Sequence, residues 1–376
     1  MCIRDRPRRP SIRATGSPGS EPWREKTIDI TAAARLVAEG QPRVISILER
    51  MIASDTLPAA ILFSGPEGSG KELAAMHLAA LLECRDQAAC GACPACGAIS
   101  SLEHPDVHLV YPVPSADREK SVPVIIESRR EDFLARGEFG NRARSTGIEQ
   151  IREVMDRISR QPFSGPRSVV IVMEAHRATT EAQNAFLRVL EEPPGSSVII
   201  LVTERTDLLL PTIISRCSEV RFDPLPDGVT AQFLETFLSV EKVEAARIAA
   251  IAGGNLQRAS RLLDERFLGL RRDAAAMVSL VLEGKARRLP AEAEAAAHNY
   301  SREETVDLLD EMIAILRGLM RGEDSEITPE TALAASGRDI PADMRKITAA
   351  SRNLGRNVDI ELTLSQLLLD LAGRWY

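Results

Sequence analysis

Ala60-Ile-Leu-Phe-Ser-Gly65-Pro-Glu-Gly-Ser-Gly70-Lys71-Glu72 decides how this chain is read: a short apolar strand runs into a glycine-rich loop that ends on a lysine. The apolar positions Leu73, Met76, Leu78, Leu81 and Leu82 carry it on as a helix. Strand, loop and helix in that order are the context that makes a phosphate-binding loop specific. Glycines let successive backbone N–H groups wrap phosphate oxygens, and the lysine reaches the outer phosphates. One position departs from the pattern. Where a Ser or Thr hydroxyl should ligate Mg²⁺ the chain has Glu72, a carboxylate that repels phosphate. Two readings follow: a nucleotide site built on Gly65, Gly68, Gly70 and Lys71, or a glycine-rich turn that has lost its ligand. The missing hydroxyl argues against ATP binding by this chain.

The second half of such a site is an acid at the end of a hydrophobic strand, which holds Mg²⁺ through water. Val169-Val-Ile-Val-Met173-Glu174 supplies the strand, but Met173 stands where that Asp belongs. Both magnesium positions are thus lost together. Glu174 reads either as a strand-end carboxylate or as a water-activating base with nothing to activate, and His176 as a polar loop residue.

Outward from this centre, apolar strands alternate with amphipathic helices, which predicts an α/β domain with a mainly parallel sheet. Strands are expected at Ala60 to Ser64, Val107 to Tyr111, Ser168 to Met173, Val198 to Thr203 and Glu219 to Phe222. Thr146-Gly-Ile-Glu149 has capping-box spacing at the start of a helix. Another helix is expected from about 180 to 192, stopped by Pro193-Pro194. Beyond Phe222-Asp-Pro-Leu-Pro226 the β pattern gives way to Ala-, Leu- and Glu-rich helix. The expected division is a P-loop α/β domain at 26–222, a small helical unit at 223–266 and a helical bundle at 267–376. Residues 1–25, rich in Arg and Pro and lacking the apolar stretch of a secretory signal, read as a disordered tail or a mis-called start. The stretch 113–147 gives no legible structure.

Cys84, Cys90, Cys93 and Cys96 fall within one short segment, 84–97, on turns supplied by Gly91, Pro94 and Gly97. Four thiolates suit tetrahedral zinc and leave no open coordination position, so a metal here is structural. The Cys-x₂-Cys-x₂-Cys part also occurs in iron–sulfur proteins, and free thiols stay open as a third reading. His104 and His108 lie close by and are not needed as ligands. Such a cluster suits a reducing cytosol better than a disulfide framework. Asp+Glu 54 against Lys+Arg 47 leaves a net charge of -7, which excludes coating nucleic acid by bulk charge. The apolar runs are far shorter than the roughly 18 residues of a membrane span, so no membrane partner is expected.

The ordered set of the loop, the four cysteines, His104-Pro-Asp106, the strand ending at Glu174, Asn184-Ala-Phe-Leu-Arg-Val-Leu-Glu-Glu-Pro-Pro194 and Ser215-Arg-Cys217 resembles bacterial clamp-loader subunits of the AAA+ class. The resemblance implies an AAA+ domain, a helical lid and an all-α collar. In such subunits the Ser-Arg-Cys arginine, here Arg216, projects across an interface to the γ-phosphate held by a neighbour, an arginine finger in trans. Thr203 falls at the polar γ-phosphate sensor. Gln257 replaces a second, arginine sensor, with Arg258 one place on. The implied work is loading a sliding clamp onto primed DNA as part of the DNA polymerase III holoenzyme. The implied partners are the gamma/tau and delta subunits, the clamp, and DNA reached through the complex, all in the cytoplasm. Two rivals are weighed against it: an active loader ATPase, and an unrelated zinc-bearing nucleic-acid-binding protein.

Overall fold

Successive residues of β1 (Ala60–Ser64) point to opposite sides of a sheet, and both sides are buried. Ile61 and Phe63 enter one apolar cluster, Ala60 and Leu62 the other. The same alternation holds along β5 (Ser168–Val172) and β6 (Ser197–Thr203), whose residues are all buried. Strands covered on both faces read as continuous Val/Ile/Leu runs, which is why they are legible in the sequence.

The structure, a computed structural model, describes residues 29–114, 118–131, 133–134, 144–321, 328–354 and 358–373. The expected 1–25 tail and part of the 113–147 stretch lie outside them. With β2 (Val107–Val110) and β7 (Ser218–Arg221), the three strands form a parallel sheet in the order β2-β5-β6-β1-β7. Each lies within one residue of its expected limits. β3 (Val113–Pro114) and β4 (Arg144–Ser145) make a small antiparallel pair. The loops after β1, β5 and β6 meet at one end of the sheet, outside the carboxyl ends of the strands, where open α/β sheets bind ligands.

Helices cover both faces. Ile30–Glu39 and Lys71–Glu83 pack on one side, Ile148–Ile158 and Thr180–Glu191 on the other. The Ile148–Ile158 start differs from the expected capping box. Thr146 is held in a bridge with Ala178, giving its N–H to Arg177 and accepting from Thr179, and the helix starts one place later than the spacing suggests. Gly147 takes the cap position and donates to Gln150 Oε1 at 3.0 Å. The stretch that gave no reading holds a helix, Arg118–Glu131.

After β7 the described chain is helical throughout. Leu234, Leu256, Leu270, Leu309 and Leu364 from these helices share one apolar cluster with Ile61 and Phe63 of the sheet. A buried ion network fastens them further. Glu311 of the Arg302–Arg321 helix bonds Arg258 Nε and Nη2 at 2.6 and 2.8 Å and Arg271 Nη1 at 2.6 Å, and it is 2% exposed. Burial alone would raise its pKa. The two guanidinium groups outweigh that and hold it below the usual carboxylate range.

Glu311→Gln removes a charge shared by two buried cations, a change that costs about 3–5 kcal/mol when a buried pair is broken. The expected result in urea unfolding at pH 7 is a loss of that size. A depressed pKa contributes its full stabilisation above the ordinary carboxylate range and loses it as pH falls from there through the lowered folded-state value. The gap between wild type and variant should therefore narrow in acid.

Candidate functional site

The loop after β1 adopts backbone angles that only glycine takes without strain: φ is +66° at Gly68 and +84° at Gly70. It is pressed against the Leu256–Arg261 helix. Leu256 N–H donates to Gly68 O at 3.0 Å, and a Cβ on Gly68 would stand 1.9 Å from Asn255 Oδ1. Lys71, at the first position of its helix, turns back into this loop. Its Nζ donates to Gly65 O at 2.9 Å, Pro66 O at 2.5 Å and Ser69 Oγ at 3.2 Å. Burial lowers its pKa to about 8, against the pull of Glu204 and Glu72.

Two acids near Lys71, Glu72 and Glu174, have partners within the chain. Glu72 accepts from Arg129 Nη1 at 2.7 Å. That arginine is 1% exposed and stacks on the rings of Tyr111 and Phe133, 5.3 and 5.6 Å from their centroids. Glu174, in the left-handed region at φ +46°, pairs with Arg177 Nε at 2.6 Å and Arg144 Nη1 at 3.4 Å. Arg144 continues to Glu303 at 3.1 Å. His176 Nδ1 lies 3.2 Å from Thr203 Oγ1, which also accepts from Arg205 N–H. Burial lowers the His176 pKa against the pull of Glu204 and Glu174, so the ring is neutral at pH 7. Gly68, Gly70, Lys71, Glu72, Phe133, Glu174, His176, Thr203 and Gln257 all line one cavity, while Arg258 turns away to Glu311. The cavity holds about 60 Å³, small beside the roughly 300–1,000 Å³ of pockets that take a whole ligand.

The sequence reading thus gathered Gly65, Gly68, Gly70, Lys71 and Thr203 at one end of the sheet, and the structure keeps them there. It adds Arg129 and Arg144, which come from the stretch without legible pattern. It also makes His176 part of the pocket rather than a bystander.

The four cysteines lie at the far end of the Lys71–Glu83 helix. Their Sγ atoms all fall within 4.8 Å of one another, with Cys84 to Cys93 at 3.9 Å and Cys90 to Cys96 at 4.0 Å. Tetrahedral bonds of 2.3 Å to a common ion would set sulfurs about 3.8 Å apart, so the donor set fits a metal. Cys96 N–H points at Cys93 Sγ, 3.5 Å away, and this lowers the Cys93 pKa toward the thiolate a metal needs. The cluster is tied to the first helix by Thr31 Oγ1 donating to Cys96 O and by Arg35 donating to Ala89 O.

Arg216 stands apart from both. It follows the short Pro211–Ile214 helix, past its end rather than within it, and its side chain is 37% exposed. Nothing from the nucleotide-type pocket touches it among its hydrogen bonds, which run to Thr212 O and Glu191.

Comparisons with known proteins match this part of the chain. Residues 40–226 fit the family model described as DNA polymerase III, delta subunit. The delta-prime subunit of DNA polymerase III from Bacillus subtilis is 32% identical over 60% of this chain and 59% of its own length. That from Pseudomonas aeruginosa is 32% identical over 54% and 55%. The tau subunit of the Bacillus subtilis polymerase is 25% identical over 60% of this chain and 36% of its own. The chain thus spans less than two thirds of the length of the curated relatives it matches. No described helix is long and apolar enough to cross a membrane.

Gly68→Ala tests the packing of the loop. Its Cβ needs both a disfavoured backbone angle and the space of Asn255, so a loss of about 2 kcal/mol or more is expected in thermal or urea unfolding. Unchanged stability would mean that the loop stands clear of the Leu256–Arg261 helix.

Proposed function

We propose that this chain, whose residues 40–226 fit the model described as DNA polymerase III, delta subunit, and which is 32% identical to delta-prime subunits over part of its length, works as a delta-prime-like subunit of a bacterial clamp loader. In this reading residues 26–222 are the AAA+ domain, 223–266 its lid and 267–376 a collar that joins a ring of subunits. The partners are gamma/tau-type ATPase subunits, a delta subunit, the sliding clamp and primed DNA held by the complex, in the cytoplasm. The chain buttresses the ATPases and does not itself turn over ATP.

One observation carries the last point. Lys71, Glu72 and Glu174, the charged groups that a triphosphate and its metal would engage, are each bonded within the chain. Phosphoryl transfer relies on a metal to neutralise developing charge. A bound phosphate would have to strip Lys71 from three oxygens and meet the Glu72 carboxylate. The purified chain is expected to hydrolyse ATP no faster than buffer. A Mg²⁺-dependent turnover that vanishes in Lys71→Ala would instead favour the rival, an active loader ATPase, to which the match with a tau subunit lends some weight.

Arg216 is the finger in this reading, supplied to the neighbour's γ-phosphate. Its exposure and its place past the end of a short helix support that role. Fingers contribute on the order of 10³ to 10⁵ in rate at the site they serve. Reconstituted complexes carrying Arg216→Ala should assemble normally, lose part of their ATPase and load clamps poorly. Arg216→Lys should rescue weakly, because it keeps the charge and not the planar fork. Equal rates with wild-type and Arg216→Ala chains would remove the finger from the mechanism.

Zinc is the metal we assign to Cys84, Cys90, Cys93 and Cys96. When bound it cross-links the segment, and the thiolates hold the end of the Lys71–Glu83 helix against the first helix. Metal analysis should find about one zinc per chain and no visible chromophore. Cys93→Ser should lower that content and speed proteolysis near residues 84–97, since ligand binding energy is local folding energy. Iron and sulfide in the purified protein would overturn the assignment.

A further inference from the structure

Arg216 has a carboxylate beside it that the Ser-Arg-Cys motif does not account for. Glu191, in the last turn of the Thr180–Glu191 helix, places Oε1 2.6 Å from Arg216 Nη2, while Nη1 donates to Thr212 O at 3.1 Å. The two elements that carry this pair are fixed against each other. Gln183, two turns earlier on the same helix, accepts from Leu210 N–H at 2.8 Å and donates to Leu208 O at 3.3 Å. Leu190 and Ile213 then pack in one apolar cluster. Glu191 and Arg216 therefore meet because the backbone brings them together, and both remain open to solvent at 51% and 37%.

We propose that Glu191 is a positioning residue that stows Arg216 against its own subunit until a neighbour's γ-phosphate displaces it. The inference rests on the finger reading given above. A guanidinium offers a planar fork of N–H donors, and carboxylate and phosphate oxygens compete for the same fork. While Nη2 is engaged by Glu191, only the fraction of molecules with the contact open can serve the phosphate, and apparent affinity falls by that fraction. An exposed ion pair of this kind is worth about a two- to five-fold change in an equilibrium.

The experiment reconstitutes the complete loader with wild-type, Glu191→Gln, Arg216→Ala or doubly substituted chain and measures ATPase rate against ATP concentration. Glu191→Gln keeps the shape and removes the charge. It should lower the half-saturating ATP concentration about two- to five-fold, a larger effect than on the maximal rate. The double variant should match Arg216→Ala alone, since with no finger there is nothing to stow. Half-saturation that is unchanged or raised in Glu191→Gln, beside a defective Arg216→Ala, overturns stowing and leaves the finger in place. A Glu191→Gln effect that persists in the double variant shows a structural role and overturns it too. Arg216→Ala indistinguishable from wild type removes the finger reading, and the proposal with it.

Discussion

A charge taken out of water must be met by an opposite charge or by hydrogen bonds, and much of this structure answers that demand at Lys71. The sheet delivers the lysine to a nearly closed position, where its loop offers two carbonyls and a hydroxyl. Three oxygens satisfy an ammonium sterically, but burial still weakens its hold on the proton. The next shell follows the same logic. Glu72 sits near a cation and is fixed by a second, Arg129, whose flat guanidinium lies over two aromatic rings. Glu174 is shared between two arginines, one of which reaches the Arg302–Arg321 helix. Lys71, Glu72 and Glu174 are thus each engaged within the chain.

What the sequence revealed depended on the range of the interaction. Buried parallel strands announce themselves locally, so their limits were right to a residue. The cysteine spacing is likewise local, and it brought all four sulfurs together. Arg129 lies 57 residues from Glu72, and Arg144 lies 30 from Glu174. Nothing nearby marks either as a partner: Arg129 lies in a helix polar on most sides that also contains Pro123, and Arg144 in the two-residue β4. Thr146 is instructive in the other direction. Its spacing to Glu149 met the capping rule, yet a bridge to Ala178, made possible only by the fold, claimed its backbone first. The signal that marks His176 is positional: a polar ring two places past a strand-end acid falls where the loops of such a sheet converge.

The three chemical centres sit on one frame but depend on different parts of it. The pocket needs the carboxyl ends of β1, β5 and β6 and is closed from outside by the Leu256–Arg261 helix. The cysteines need the opposite end of the Lys71–Glu83 helix. Arg216 needs neither, only the meeting of two short helix ends on the other face of the sheet. One helix thus carries a phosphate-type loop at its start and a four-cysteine cluster at its finish.

The two faces of the sheet are unequally padded. One shares its apolar cluster with helices as far along the chain as Leu371, whereas the other is covered by two helices and a few short segments. Local opening is easiest where buried apolar contact is least. Arg216 and Glu191 ride on the thinner side. Amide protons of the Pro211–Ile214 turn should accordingly exchange with solvent well before those of β1 or the Lys71–Glu83 helix. Thermal motion can then loosen the arginine's mounting while the lysine and its loop stay shut.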